Sequence, residues 1–304
     1  MGDKPINKKH IFKGVATALV TPFTAENKID YLALQRLIEF QIEQGINAIV
    51  FCGTTAEAPT LTDKEHKSII DFAVQRVAGR VPVIAGCGSN DTAHAIMMSR
   101  FCARAGADGL LSITPYYNRP NDAGLENHYL KIADSVSVPI ILYNVPQRTG
   151  IDCSVELYKR LSNHPNIVGV KEASDSYTKS AQIFGGLGDM LDVYAGNDQS
   201  YLGYLSLGGK GVISVASNIL PSAFVKVYNH FIKGEVLLAK KEFQGMLTLI
   251  NALAKGVNPT TVKYALKIAK LCDNRLRAPL LPINDDQEVA KEIKKIVNGY
   301  INES

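Results

Sequence analysis

Eight short apolar runs punctuate the chain: GVATALV from Gly14, NAIVFCG from Asn47, VPVIAGCG from Val81, DGLLSITP from Asp108, PIILYNVP from Pro139, IVGVKEA from Ile167, DVYAGND from Asp192 and GVISVAS from Gly211. Each is almost continuously hydrophobic where a half-exposed strand would alternate, so the pattern predicts parallel strands covered by helices. The stretches between them repeat at helical period. Tyr31 to Gln44 puts Leu34, Leu37, Ile38 and Ile42 on one stripe and stops at Gly45, and Thr62 with Glu65 reads as a capping box opening a helix that carries Ile69, Ile70 and Val74.

Strand starts fall 19 to 34 residues apart, the length of a strand, loop, helix and loop. Eight such units in succession predict an α/β fold of the (β/α)8 TIM-barrel type. A doubly wound sheet is the rival, disfavoured because no strand runs into G-x-G-x-x-G at a helix start. From Glu235 the pattern is purely helical, interrupted at Asn258-Pro259 and around Ala278 to Pro282. The expected organisation is a catalytic barrel over 1–234 and an extension of about three helices over 235–304.

Composition narrows the function. With 304 residues, 46% hydrophobic and 20% charged, and a mean hydropathy of +0.01, the chain is neither disordered nor an integral membrane protein. A net charge of +4 from scattered Lys and Arg favours small-molecule partners over nucleic acid or a membrane surface. Five cysteines with no C-x-x-C spacing read as reduced core residues, and no signal-peptide core follows the basic N-terminus, so the expected location is cytoplasmic. The Met-Gly start is no myristoylation signal, since Ile stands at position 6.

In a barrel of this kind chemistry gathers at the C-terminal strand ends. Lys171 stands there in IVGVKEA, sharing period-two parity with Ile167 and Gly169, and Gly169 leaves it room. If that face is the interior, burial lowers the amine's pKa and frees it to attack a ketone; the plainer alternative is a lysine that leaves the strand and pairs with Glu172. Tyr143 shares the parity of Ile141 on the preceding strand, so its phenol is placed to relay protons, with Thr54 and Tyr117 extending the relay; the plainer alternative is a core aromatic. Gly53-Thr54-Thr55 offers N–H groups and hydroxyls for a carboxylate, and strand seven ends in Gly196-Asn197-Asp198. The six histidines lack metal-ligand spacing, and Gly208 to Gly211 precedes strand eight, so neither a metal nor a phosphate cofactor is expected.

Six motifs in order, GTTAEAPTL, TPYYNRP, YNVPQRTG, GVKEAS, AGND and GVISVASN, resemble the dihydrodipicolinate synthase family, within the class I pyruvate aldolases that include N-acetylneuraminate lyase. The resemblance runs from Gly14 to the C-terminal helices. It implies a lyase of lysine and diaminopimelate biosynthesis that condenses pyruvate with L-aspartate 4-semialdehyde, without a cofactor, in a homodimer or a homotetramer built as a dimer of dimers. Lys171 would form the Schiff base, and Tyr143, Thr54 and a neighbouring subunit's counterpart of Tyr117 would relay protons. Thr55, with backbone at Gly196 and Ile213, would hold pyruvate, and Arg148 the carboxylate of the second substrate. That arginine separates the synthases from the sialate lyases. The enzymatic alternative is another pyruvate-dependent lyase of the superfamily; the other is a barrel kept only for binding.

Where the family commonly has Gly, this chain has Ala56, which strains the loop only if the position needs positive φ. Some members are inhibited by lysine between subunits, at positions matched here by Ala58, Pro59, Asp63, His66, Asn90, His94 and Tyr116. In sensitive members a glutamate stands in place of His94 and accepts the inhibitor's ammonium. A histidine supplies no such charge, although Asp63 partly compensates, so weak or absent inhibition is expected.

Overall fold

The computed structural model describes residue 8, residues 10–187 and residues 189–302; most of the N-terminal segment discussed above lies outside them. Eight parallel strands, β1 (Gly14–Ala18), β2 (Ala48–Phe51), β3 (Val83–Gly86), β4 (Gly109–Ile113), β5 (Ile140–Asn144), β6 (Ile167–Glu172), β7 (Asp192–Ala195) and β8 (Gly211–Ser214), pair in chain order into a closed barrel. Around them run α1 (Tyr31–Glu43), α2 (Asp63–Val77), α3 (Thr92–Ala105), α4 (Asp122–Asp134), the one-turn α5 (Pro146–Thr149), α6 (Val155–Leu161), α7 (Tyr177–Leu187), α8 (Tyr201–Ser206) and α9 (Pro221–Ile232). Three further helices follow, α10 (Val236–Ala254), α11 (Thr260–Ile268) and α12 (Glu288–Asn302). This is the TIM barrel with C-terminal helices that the repeat of apolar runs predicts.

Local sequence accounts for the helix starts. Asp30, Thr62, Asp91, Asn121 and Ser154 each accept a backbone N–H of the first turn, and Thr62 completes the capping box with Glu65. Outward strand residues join the helices in one shell of core, which also takes in Phe243, Met246, Leu249 and Tyr264 of the C-terminal helices. A smaller core fills the barrel itself, with Ala16, Ala48, Ile84, Leu111, Ile141 and Ile213 in its middle and a stacked Phe12–Tyr194 pair, centroids 4.4 Å apart, plugging the N-terminal end. Side chains thus close the bottom and leave the C-terminal mouth for chemistry. Closure needs glycine at one point: Gly211 has φ +154°, and a Cβ there would run into the carbonyl of Gly14 on β1.

One detail of the expected register is wrong. Ile167 does not share the face of Lys171, because the β5–β6 pairing slips between Ile140 and Ile141: Ile167 lies opposite Ile140 in the outer shell, while Gly169 lies opposite Ile141. The extra residue is a bulge that resets parity before Lys171. Gly169 also serves a different neighbour than expected. A Cβ there would meet the Asp192 carbonyl at 2.8 Å and the Tyr194 ring at 3.3 Å, so the glycine makes room for β7 and its tyrosine.

Candidate active site

The register of β5 and β6 sets Tyr143 directly across from Lys171. Lys171 is 5% exposed, and its Nζ lies 4.3 Å from the centre of the Tyr143 ring. Burial lowers its pKa to about 8, with the nearby negative charge of Asp198 working against that shift and Arg148 adding to it. The expected alternative, pairing with Glu172, does not occur. Glu172 faces outward, where it accepts hydrogen bonds from Asn144 (2.8 Å), Tyr158 (2.9 Å) and the Ser174 backbone (2.8 Å).

Tyr143 is held on both sides. The backbone N–H and hydroxyl of Thr114 donate to its carbonyl at 2.9 and 3.0 Å, and its own hydroxyl engages the Thr54 side chain. Burial pushes the phenol's pKa up, moderated by Arg148 and Thr54, so it stays protonated as a donor. Thr54 sits in a tight turn after β2. The N–H groups of Ala56 and Ala58 donate to the Gly53 carbonyl, and that of Glu57 to the Thr54 carbonyl at 3.0 Å. Ala56 is absent from the positive-φ residues of this turn, which are Cys52 (φ +54°) and Glu57 (φ +57°), so the alanine carries no left-handed strain.

Thr55 is buried, and its hydroxyl accepts from the Asn258 amide at 3.0 Å; the carbonyl of Asn258 in turn accepts from Arg148 at 3.4 Å. Asn258, visible in sequence only as a helix break before proline, therefore ties Thr55 to Arg148. Arg148 is exposed on α5 and, with Gly196, Asp198 and Asn258, lines a cavity of about 410 Å³ at the barrel mouth. The Gly196 N–H is already engaged with the Glu172 carbonyl at 2.8 Å, which leaves its carbonyl for a ligand, and Ile213 lies inside the barrel. Asp198 was legible only as a strand-end acid. Its Oδ2 accepts the N–H groups of Val215 and Ala216 at 3.2 and 2.8 Å, anchoring the loop after β8.

Tyr117 is not brought to Lys171. Its backbone is left-handed (φ +72°) and the residue is 91% exposed. A second crevice, of about 220 Å³, runs from Thr54 and Tyr143 to Ala58, Pro59, Asp63, His66, His94 and Tyr116. Asn90 does not line it and instead holds Asn118, beside Tyr117, through its carbonyl at 2.8 Å. His94 lies 3.0 Å from Asp63, and that hydrogen bond holds the Asp63 carboxyl below its ordinary range. Among the described residues, no three His, Cys, Asp or Glu side chains are grouped to hold a metal ion, and no helix is long and apolar enough to cross a membrane.

An amine deprived of water and set against a phenol is equipped to condense with a ketone and to expel the hydroxyl that results, which puts the chain among the Schiff-base lyases of the aldolase type. Comparison with known proteins narrows the class. The model of the dihydrodipicolinate synthetase family matches residues 11–298, and the chain belongs to that family. It is 45% identical to a 4-hydroxy-tetrahydrodipicolinate synthase of Caldicellulosiruptor saccharolyticus, over 96% of this chain and 98% of the relative. Among solved structures it is similar to a chloride-inhibited dihydrodipicolinate synthase from Acinetobacter baumannii complexed with pyruvate (TM-score 0.91, 38% identity, 94% of this chain and 99% of the other). It is likewise similar to the enzyme of Cyanidioschyzon merolae with lysine bound (TM-score 0.91, 36% identity, 95% and 98%).

The lowered amine pKa sets a pH dependence. For a Schiff base formed on Lys171 only the neutral amine would attack, so the rate at which pyruvate is trapped by cyanoborohydride, read by intact mass, should then rise up to about pH 8 and level. Asp198→Asn removes the charge that holds the proton on and should move this limb to lower pH. A rate still climbing toward about pH 10, where an ordinary lysine titrates, would contradict the assignment.

Proposed function

We propose that Lys171 is the nucleophile and Tyr143 with Thr54 the proton relay of a pyruvate condensation, a reading carried by the buried amine lying across the register from a hydrogen-bonded phenol. The activity is 4-hydroxy-tetrahydrodipicolinate synthesis, in lysine and diaminopimelate formation. The neutral amine adds to the pyruvate ketone, and Tyr143 donates a proton to the departing hydroxyl, leaving a cationic imine and water. The tyrosinate left behind takes a methyl proton from the imine to give the enamine, whose carbon attacks the aldehyde of L-aspartate 4-semialdehyde while Tyr143 returns that proton to the aldehyde oxygen. The amino group of that substrate then attacks the imine carbon, closes the ring and releases Lys171. Thr55 and the Gly196 carbonyl flank the pyruvate, and Arg148 meets the second substrate's carboxylate at the mouth. Five buried free cysteines fit a reducing cytoplasm.

Loss of Lys171 as Ala should abolish the trapped pyruvate adduct and turnover with aspartate semialdehyde; residual condensation above a trace would remove it from the nucleophile role. Arg148→Ala should still form the trapped adduct, its pH limb moved slightly upward, while lowering kcat/KM for the semialdehyde by about 10- to 100-fold, the worth of a charge-assisted bond. Equal damage to both steps would place Arg148 in the architecture around Asn258 instead.

Tyr117 in this reading serves a second copy of the chain. A left-handed non-glycine residue costs about 1–3 kcal/mol and persists where function needs it, and the exposed ring is suited to completing a neighbour's relay in at least a homodimer. Mixing the Lys171→Ala and Tyr117→Phe proteins under subunit exchange should therefore restore activity that neither has alone. No recovery in proven heterodimers would refute sharing across the interface.

The crevice reaching Asp63 and His94 has the place of an effector site, but its acid is already spent on the histidine. An incoming ammonium finds a carboxylate already hydrogen-bonded to His94 where it needs a free one. Half-inhibition by L-lysine should fall above about 1 mM, the ~4 kcal/mol scale, and initial rates showing it well below that concentration would overturn this reading.

A further inference from the structure

Behind the turn that carries Thr54 and Thr55 lies a charged pair that the reaction does not touch. Glu57 Oε1 and Lys263 Nζ are 2.5 Å apart with side chains 1% and 0% exposed, and they lie 206 residues apart in the chain. The other carboxylate oxygen accepts the N–H of Arg277 at 2.9 Å. The ammonium also donates to the Arg275 carbonyl at 2.7 Å and sits 4.3 Å from the centre of the Phe23 ring. Charges this far from water persist only when paired and hydrogen-bonded, so the cluster requires the segment from α11 to Arg277 to be docked against the β2–α2 turn.

Glu57 is also mechanically joined to the reacting groups. Its left-handed backbone needs holding from outside, and its N–H grips the carbonyl of Thr54, whose hydroxyl engages Tyr143. Two residues before α11, Asn258 grips Thr55. The same C-terminal segment therefore takes hold of the turn at two points, and the charged pair is the more deeply buried.

We propose that Glu57 and Lys263 are positioning residues for the pyruvate site, setting through the turn the angle at which Thr54 and Thr55 face Tyr143 and the substrate carboxylate. The proposal rests on the reading of Lys171, Thr54 and Thr55 given above. It assigns the C-terminal helices a part in catalysis besides their part in the core. Misplacement of a catalytic group by about 1 Å costs on the order of 10²-fold in rate, and that is the scale expected here.

The test uses full-length Lys263→Met, Glu57→Gln, the double variant and the conservative Lys263→Arg, each checked by circular dichroism and thermal melting. The folded Met and Gln variants should show a kcat lowered by about 10²-fold, a raised KM for pyruvate and slower trapping of the adduct on Lys171, with Lys263→Arg recovering much of the loss. The double variant, which leaves no unpaired buried charge, should recover melting temperature without recovering rate, and it decides the matter if a single variant fails to fold. Kinetic constants per folded molecule equal to wild type in the double variant, or in single variants whose melting alone has fallen, would overturn the proposal and reduce the pair to a structural tie. Failure of the wild type to trap pyruvate would instead sink the reading of the pocket, and this inference with it.

Discussion

A lysine that ends inside a closed barrel has exchanged water for strand walls, and the desolvation of that one ammonium governs how the site is built. Burial by itself favours the neutral amine over the ammonium. Asp198 supplies the opposing field from the end of β7 and Arg148 trims it, and the net effect with burial lowers the amine's pKa to about 8. Asp198 remains in place because the backbone N–H groups after β8 bind it. The reactivity of one side chain is thereby set by loops after three different strands, which only a closed barrel brings to one rim.

Much of this was legible in the chain. Eight apolar runs at nearly regular spacing become eight strands, and the polar residues at their C-terminal ends become the lining of the mouth, because parallel strands buried on both faces have no other place for polar groups. Period-two parity placed Tyr143 and Lys171 on the inner face correctly. It failed one turn of pleat earlier, at Ile167, since a bulge adds a residue without any mark in composition.

The rest was hidden because it depends on contacts between distant parts of the chain. Nothing near Asn258 announces that its amide will reach Thr55, 203 residues away, and Lys263 lies in a helix stretch whose sequence reads as an ordinary amphipathic surface. Glu57, seen as part of a loop motif, turns out to be a buried carboxylate whose partners Lys263 and Arg277 lie in the C-terminal segment. Arg277 reinforces the joint from outside, bonding Glu65, the Thr60 carbonyl and the Asn27 carbonyl. Tyr117 illustrates the opposite case, a residue singled out in sequence that stands almost fully exposed in the fold.

The pairing of Gly14 with Gly211 has a consequence for how the molecule comes into being. β1 is among the first elements to leave the ribosome and β8 the last of the strands, so the edge of β1 has to wait through the synthesis of some two hundred residues for its partner. The bonds from Thr17 to Ser217 (2.8 Å) and from Asn218 to the Ala18 carbonyl (2.8 Å) form across that same gap. Until then the nascent sheet is an open curl with two unprotected margins, the state in which a parallel sheet is most exposed to pairing with another chain. Short strands of four to six residues, and a glycine on each margin, make that waiting edge a poor template for anything but its own closure.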